Sequence, residues 1–182
     1  MLISIKEARA HIEIVPRANL GFFPTPLYKL EKMSKELGIN LFIKRDDFTG
    51  KNLFGGNKTR KLEFLIGKAI EDKCEYVFTY GATQSNHAMQ TIWSAVSNGL
   101  KPVVYLAAVV EPDEKDMRAN LLLDKIFDAE IHIIRLMAKH LRMQKNAPLY
   151  LEQNILKDSK KKGINAWIFP WAVQIMWVLQ VI

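Results

Sequence analysis

The chain has 182 residues, 49% of them hydrophobic, enough to bury a real core in one domain or in one and a part. Its single cysteine, Cys74, excludes a disulfide framework and a cysteine-rich zinc site, and the four histidines have no ligand spacing, so no metal is assigned. The formal net charge of +7 raises nucleic acid as a partner, but most of the excess sits between 135 and 163, where no aromatics alternate with the lysines to stack bases.

That basic segment reads as a solvated helix face, and no nucleic-acid partner is expected. The first ten residues lack the apolar core of a signal peptide, so a cytoplasmic location is expected. A short helix is predicted over 4–11, ended by Pro16. Phe23-Pro24-Thr25-Pro26-Leu27 reads as a rigid turn, with Thr25 or Pro26 starting a helix that runs to Leu37 and closes on Gly38. A short strand over 40–45 then runs into Asp46 and Asp47.

The stretch Gly55-Gly56-Asn57-Lys58 comes next. Two glycines free the backbone, Asn57 suits a helix N-cap, and Leu62, Leu65, Ile66, Ala69 and Ile70 recur at helical spacing as far as about Asp72. Lys58 is thereby expected at the first helical position, at the positive end of the helix dipole, where a cation is poorly placed. Chemistry that needs an easily deprotonated amine, such as a Schiff base with an aldehyde cofactor, favours such a position. An ordinary loop-to-helix joint with exposed lysines is the other reading.

From there strands and helices alternate. Strands are expected over 75–80, 101–110, 130–135 and 165–169, and helices over 87–99, 112–128, 136–143 and 149–162. This rhythm predicts an α/β fold, a parallel sheet with helices on both faces in three layers. The loop Gly81-Ala82-Thr83-Gln84-Ser85-Asn86 lies between a strand's C-terminal end and a helix start, where open α/β sheets bind ligands. Its small polar side chains and free N–H groups suit a carboxylate or phosphate, although a capped turn has the same composition. His87 is the one histidine beside such a loop. Residues 164–182 carry no charge and follow Lys160, Lys161 and Lys162, the outline of a tail anchor. Asn165, Pro170, Gln174 and Gln180 argue against that, and no membrane partner is expected.

Five motifs occur in order: 24–27 (Pro-Thr-Pro-Leu), 43–50 (with Lys44, Arg45, Asp46, Asp47, Thr49 and Gly50), 55–63, 84–87 and 120–124. Together they resemble the D-cysteine desulfhydrase and 1-aminocyclopropane-1-carboxylate deaminase family of pyridoxal-phosphate enzymes, whose fold is similar to the tryptophan-synthase β subunit. The likeness spans about residues 16–170. It implies pyridoxal 5'-phosphate as cofactor, a small amino acid as substrate and a homodimer for the full-length family. It also implies that Lys58 holds the cofactor and moves protons on the substrate carbon. Asn86 would bond the cofactor's phenolic oxygen, and Ser85, with Asn86, Gln84 and neighbouring amides, would hold the substrate carboxylate. The loop 84–87 looks closer to the D-cysteine branch, giving pyruvate, ammonia and sulfide. Two positions depart from the pattern. Met89 stands where the family usually has arginine, and Ala119 where it usually has glycine, a change expected to cost little.

Family members are about twice as long, and their glycine-rich phosphate loop lies in the part this chain does not match. The domain reading is therefore 1–54 as an incomplete part of a large domain, 55–169 as a small α/β domain, and 170–182 as an out-of-frame tail. The chain is then expected to be a truncated, inactive form, with the helix and strand before residue 46 orphaned from their partners. A non-catalytic module binding a small anion at 81–86 is the alternative. Shifting the frame at the Pro170 codon permits the family's continuation, Val-Gly-Gly-Ser-Asn, at the family's spacing. Sequencing the locus across that codon is expected to show this continuation in the next frame; its absence sinks the frameshift reading.

Overall fold

The computed structural model describes residues 4–51, 55–108, 117–135, 157 and 166–168. Helix α1 (Ile5–Glu13) opens with a reciprocal capping box. The Ser4 N–H donates to Glu7 Oε2 at 2.7 Å, and the Glu7 N–H donates to Ser4 Oγ at 3.2 Å. None of its residues is buried.

The region after it differs from the expected continuous helix. Leu27–Lys29 forms a strand, β1, and helix α2 is confined to Glu31–Leu37. β1 pairs antiparallel with β2 (Phe42–Lys44), Leu27 facing Lys44 and Lys29 facing Phe42, so the strand expected to be orphaned has a partner. The physical reason is the ladder itself. Backbone bonds from Leu30 N to Leu41 O and from Arg45 N to Pro26 O, both 2.9 Å, flank it, and residues 27–29 gain more from pairing than from extending a helix with no side-chain cap at Leu30. Gly38 closes α2 in the left-handed conformation, as its sequence position predicts.

The larger sheet is built from β3 (Tyr76–Ala82), β4 (Lys101–Ala108), β5 (Glu130–Arg135) and β6 (Ala166–Ile168). All are parallel, in the order β5-β4-β3-β6. Helices α3 (Thr59–Glu71), α4 (Asn86–Val96) and α5 (Ala119–Ile126) connect or precede these strands. α3 buries Leu62, Ile66 and Ala69, one stripe at helical spacing, with Val77 of β3, Ala95 of α4 and the arm residues Ala18 and Leu20. α4 and α5 bring Ala88, Ile92 and Leu121 onto Val104 and Leu106 of β4. A fully buried Leu or Ile contributes about 1.5–3 kcal/mol, so this apolar face supplies the main drive for the α/β unit. Phe78 and Val103 form a second cluster on the other face. The helices expected over 136–143 and 149–162 lie outside the described residues, Lys157 excepted, and so does the tail 170–182. Among the described residues no helix is long and apolar enough to cross a membrane.

Three element boundaries move. Gly81 and Ala82 complete β3 instead of starting a loop, because Gly81 pairs with Leu106 and Ala82 with Ala107. Asn57 does not cap α3: Lys58 occupies the N-cap, without a side-chain hydrogen bond, and the helix begins at Thr59. α5 begins at Ala119 and not at 112, since 117 and 118 are non-helical.

Ala119 corrects a further expectation. Its φ of 51° is left-handed, a region that favours glycine, so alanine at this position is strained. Replacing the family's usual glycine is therefore not cost-free.

Glu63, 1% exposed, ties the N-terminal arm to α3. Oε2 accepts from Arg17 Nε at 2.7 Å and from Arg17 Nη2, while Oε1 accepts from the backbone N–H groups of Leu20 and Gly21 at 3.2 Å. The Glu63 carbonyl also accepts from Ala18 N at 2.7 Å. A buried carboxylate is costly unless its lone pairs are satisfied, and here four donors satisfy them.

Two other buried titratable groups behave oppositely. His87, 6% exposed, lies between Thr79 and Thr91, with burial and then the charges of Lys61 and Lys58 pulling its pKa down to about 3. Asp124, 1% exposed, has no hydrogen-bond partner on its carboxyl oxygens among the described residues, and burial pushes it up to about 7.

These observations yield two expected outcomes. Ala119→Gly should raise the unfolding free energy by about 0.5–1 kcal/mol in urea titrations. For pH, the unfolded chain binds more protons at residue 87 between about 3 and 6.5, so falling pH removes stability there. The folded chain binds more at Asp124 between about 4 and 7, so falling pH adds stability. Each limb is at most about 1.4 kcal/mol per pH unit, and they oppose. The two limbs nearly cancel from pH 6.5 to 4, so Asp124→Asn should leave a net loss of stability over that range and His87→Gln a net gain. Thermal unfolding at pH 4, 5.5 and 7 measures both.

Candidate functional site

The lysine loop is held from below by Thr49, which is fully buried. Its Oγ1 accepts from the Gly56 N–H at 2.7 Å and shares its single proton between the carbonyls of Gly56 and Asp46, each at 2.9 Å. Gly56 has a φ of 136°, which L side chains rarely adopt, so the turn into α3 needs glycine. Thr59 N then donates to Gly56 O at 3.2 Å, and Lys58 O accepts from Leu62 N at 3.0 Å. Lys58 is thus fixed by its backbone at the positive end of α3, with its side chain half-buried and with no carboxylate partner among the described residues. Two residues on, Arg60 is neutralised by Asp46, its Nε and Nη2 each 2.8 Å from the carboxylate. That pairing, assisted by Thr25, holds Asp46 down at about 2.

The second part lies where β3 ends. β4 lies on one side of β3 and β6 on the other, so the sheet order changes direction beside this strand, the usual place for a ligand crevice. A Cβ at Gly81 would come within 2.6 Å of Ser85 Oγ, so the absence of a side chain lets the following turn fold back on the strand. Ser85 is the N-cap of α4 and accepts from Ala88 N at 3.2 Å, leaving its hydroxyl proton to donate. Asn86 opens the helix and is exposed. Its Oδ1 accepts from Asn120 Nδ2 at 2.7 Å. Gln84 is engaged at both ends: Oε1 accepts from Asn120 N at 3.0 Å, and Nε2 donates to Arg118 O at 3.2 Å. Met89 is buried, so its departure from arginine bears on packing beneath the loop.

The two parts meet. The charges of Lys58 and Lys61 both act on His87, the residue after Asn86. Gly56 faces α4 one turn further on, where a Cβ would lie 3.3 Å from Gln90 Nε2. Gln90 is 6% exposed and its Oε1 has no partner among the described residues. Lys61 is half-buried, and burial followed by the charge of Lys58 draws its pKa down to about 8. Lys61 and Asn120 are the participants that sequence reasoning passed over. The signal for Lys61 was its one-turn spacing from Lys58, and for Asn120 its place at the head of the 120–124 motif. The assembled set is an amine, a half-desolvated second cation, amide and hydroxyl donors, and the N-terminus of α4. It suits a group bearing an aldehyde and anionic oxygens, and the residues present fit pyridoxal phosphate on that donor chemistry. Among the described residues no cluster of three acidic, His or Cys side chains offers a metal site.

The sequence and the fold are similar to those of known proteins. The sequence matches the pyridoxal-phosphate dependent enzyme family over residues 18–164. A provisionally named 1-aminocyclopropane-1-carboxylate deaminase of Pyrococcus abyssi is 43% identical over 118 residues, 65% of this chain and 34% of that protein. The D-cysteine desulfhydrase of Salmonella paratyphi C is 40% identical over 126 residues, 68% of this chain and 38% of that protein. A crystal structure of an ACC deaminase homologue superposes with a TM-score of 0.73 at 32% identity, covering 89% of this chain and 46% of that one. The chain spans less than half the length of these relatives. The match over 18–164 takes in both the lysine turn and the loop after β3, and the chain belongs to the pyridoxal-phosphate dependent enzyme family.

Proposed function

We propose that these residues form the lysine-bearing and carboxylate-binding part of a lyase or deaminase acting on a small amino acid. The observation that carries the reading is Lys58, a backbone-fixed amine at the start of α3 whose charge reaches the residue next to Asn86. Bound pyridoxal phosphate would supply an aldehyde for the lysine and a ring that draws electrons from the substrate carbon. Lys58 is then both the attachment point and the base that moves a proton at that carbon. Asn86 donates to the ring oxygen. Ser85 donates its hydroxyl proton to the substrate carboxylate, helped by Asn86, by the free N–H groups of α4 and by the second Nε2 proton of Gln84. Lys61 suits an anionic oxygen, because a bound anion relieves the cost of its half-buried charge.

Within this class D-cysteine is preferred over 1-aminocyclopropane-1-carboxylate, since the loop 84–87 looks closer to the desulfhydrase branch. Relatives bearing each name are similar to this chain. A cytoplasmic location and, for the complete fold, a homodimer accompany the reading. So does the division at residue 55 between part of a larger domain and the α/β unit. Because the chain spans less than half of its relatives, turnover is proposed of the complete fold. Cofactor capture is proposed of these residues themselves.

The test is chemical trapping. Pyridoxal phosphate is added to the purified chain, borohydride fixes it, and peptide mass spectrometry locates the label. A label concentrated on Lys58 and abolished by Lys58→Ala is expected, with no pyruvate released from D-cysteine. Lys61→Ala should keep the label on Lys58 but require roughly tenfold more cofactor, the worth of one charge-assisted contact. Labelling spread evenly over surface lysines, with phosphate binding retained, would favour the non-catalytic anion module instead.

A further inference from the structure

The amide of Asn86 has a direction, and the hydrogen bonds around Asn120 determine it. Two backbone carbonyls fix that direction, because a carbonyl oxygen can only accept. The first is Arg118 O, which receives Gln84 Nε2 at 3.2 Å; this leaves Gln84 Oε1 to accept from Asn120 N at 3.0 Å. The second is Gln84 O, which receives Asn120 Nδ2 at 3.0 Å. Turning the Asn120 amide over would set its own oxygen against that carbonyl, so Nδ2 must stay on this side. The same nitrogen lies 2.7 Å from the Asn86 side chain, and a donor there requires an acceptor opposite it. Asn86 Oδ1 is that acceptor. Asn86 Nδ2 is therefore turned away from α5, without an acceptor among the described residues, on an exposed side chain at the first turn of α4.

We infer that Asn120 is a positioning residue which makes Asn86 a donor only, so that the loop after β3 selects a ligand atom that accepts. A free asparagine offers either end of its amide and recognises donors and acceptors alike. A tethered one rejects donors. The inference deepens the proposed function and rests on it in one respect, that the accepting atom is the cofactor's ring oxygen.

The test uses the full chain and separates the two claims. Asn120→Asp replaces a donor by an acceptor, so Asn86 should turn and donate to the introduced carboxylate. Asn120→Ala removes the donor without offering an acceptor. In the cofactor-free protein, nitrogen-15 NMR of the Asn86 side-chain amide should show its proton exchange slowed about tenfold or more in Asn120→Asp and unslowed in Asn120→Ala. Equal exchange in the two variants overturns the inference, since loss of packing would affect both alike. Pyridoxal phosphate is then titrated by its absorbance. Asn120→Asp should weaken binding about tenfold, Asn120→Ala only two- to threefold, and on an Asn86→Ala background the difference should vanish. If the exchange pattern holds but wild-type chain binds no cofactor, the tether stands and the proposed cofactor falls. Thermal unfolding of each variant confirms that folded protein is being compared.

Discussion

The site depends on one buried carboxylate. Glu63 holds residues 17–21 against α3, and that arm in turn holds the segment that shapes the lysine turn. Gly21 bridges Gly50, and Phe22 N donates to Thr49 O at 2.9 Å. Thr49 then grips both polar backbone atoms of Gly56, two residues before Lys58. Position is thus relayed from the core of α3 through an arm and a threonine back to the turn that leads into the same helix. Removing the carboxylate would leave two N–H groups without their acceptor, at about 1–3 kcal/mol each, and would loosen the turn that fixes the lysine.

The electrostatics follow from where the helices start. α3 and α4 present their N-terminal ends near each other, and Lys58 and Lys61 add positive charge to that concentration. The protein meets the cost in three ways. Arg60 is cancelled by Asp46, His87 is kept neutral between two threonines, and Lys61 is held near its titration point. A site with this balance favours an anion. Binding one would be favourable at Lys61 and at the free N–H groups of α4 together.

How much of this was legible in the sequence depended on the range of the interaction involved. The strands β3 and β4 read directly, because an apolar run buried on both faces leaves its mark residue by residue. The strand Leu27–Lys29 did not, since only its pairing with residues across α2 makes it a strand. Asn57 looked like a cap by type, yet the Thr49 clamp on Gly56 places the turn one residue later, and Lys58 takes the position. Ser85 and Lys58 could be singled out from local chemistry, whereas the hydrogen bonds that hold Gln84 come from Asn120, which lies 36 residues away and binds both its side chain and its carbonyl. Ala119 taught the same lesson in reverse, an innocuous substitution by type that falls on a left-handed backbone.

The N-terminal elements are of two kinds, an exposed apolar pair of strands with its helices and a buried arm that supports the lysine turn. α1 buries nothing, and Leu27, Leu37, Ile39 and Phe42 of the small sheet, its helix and the turn between them are all more than half exposed. Apolar surface of this kind costs about 25 cal/mol per Å² while wet, so it favours any arrangement that covers it. The lysine turn does not draw on that surface. Its supports, Glu63, Thr49 and the α3 stripe, are buried within the described residues. The turn that carries Lys58 therefore rests on the arm, Thr49 and the α/β unit, and not on the small sheet. In this fold the amine is positioned by its backbone on a buried helix, and its half-buried side chain leaves any enclosing group to be a separate contribution.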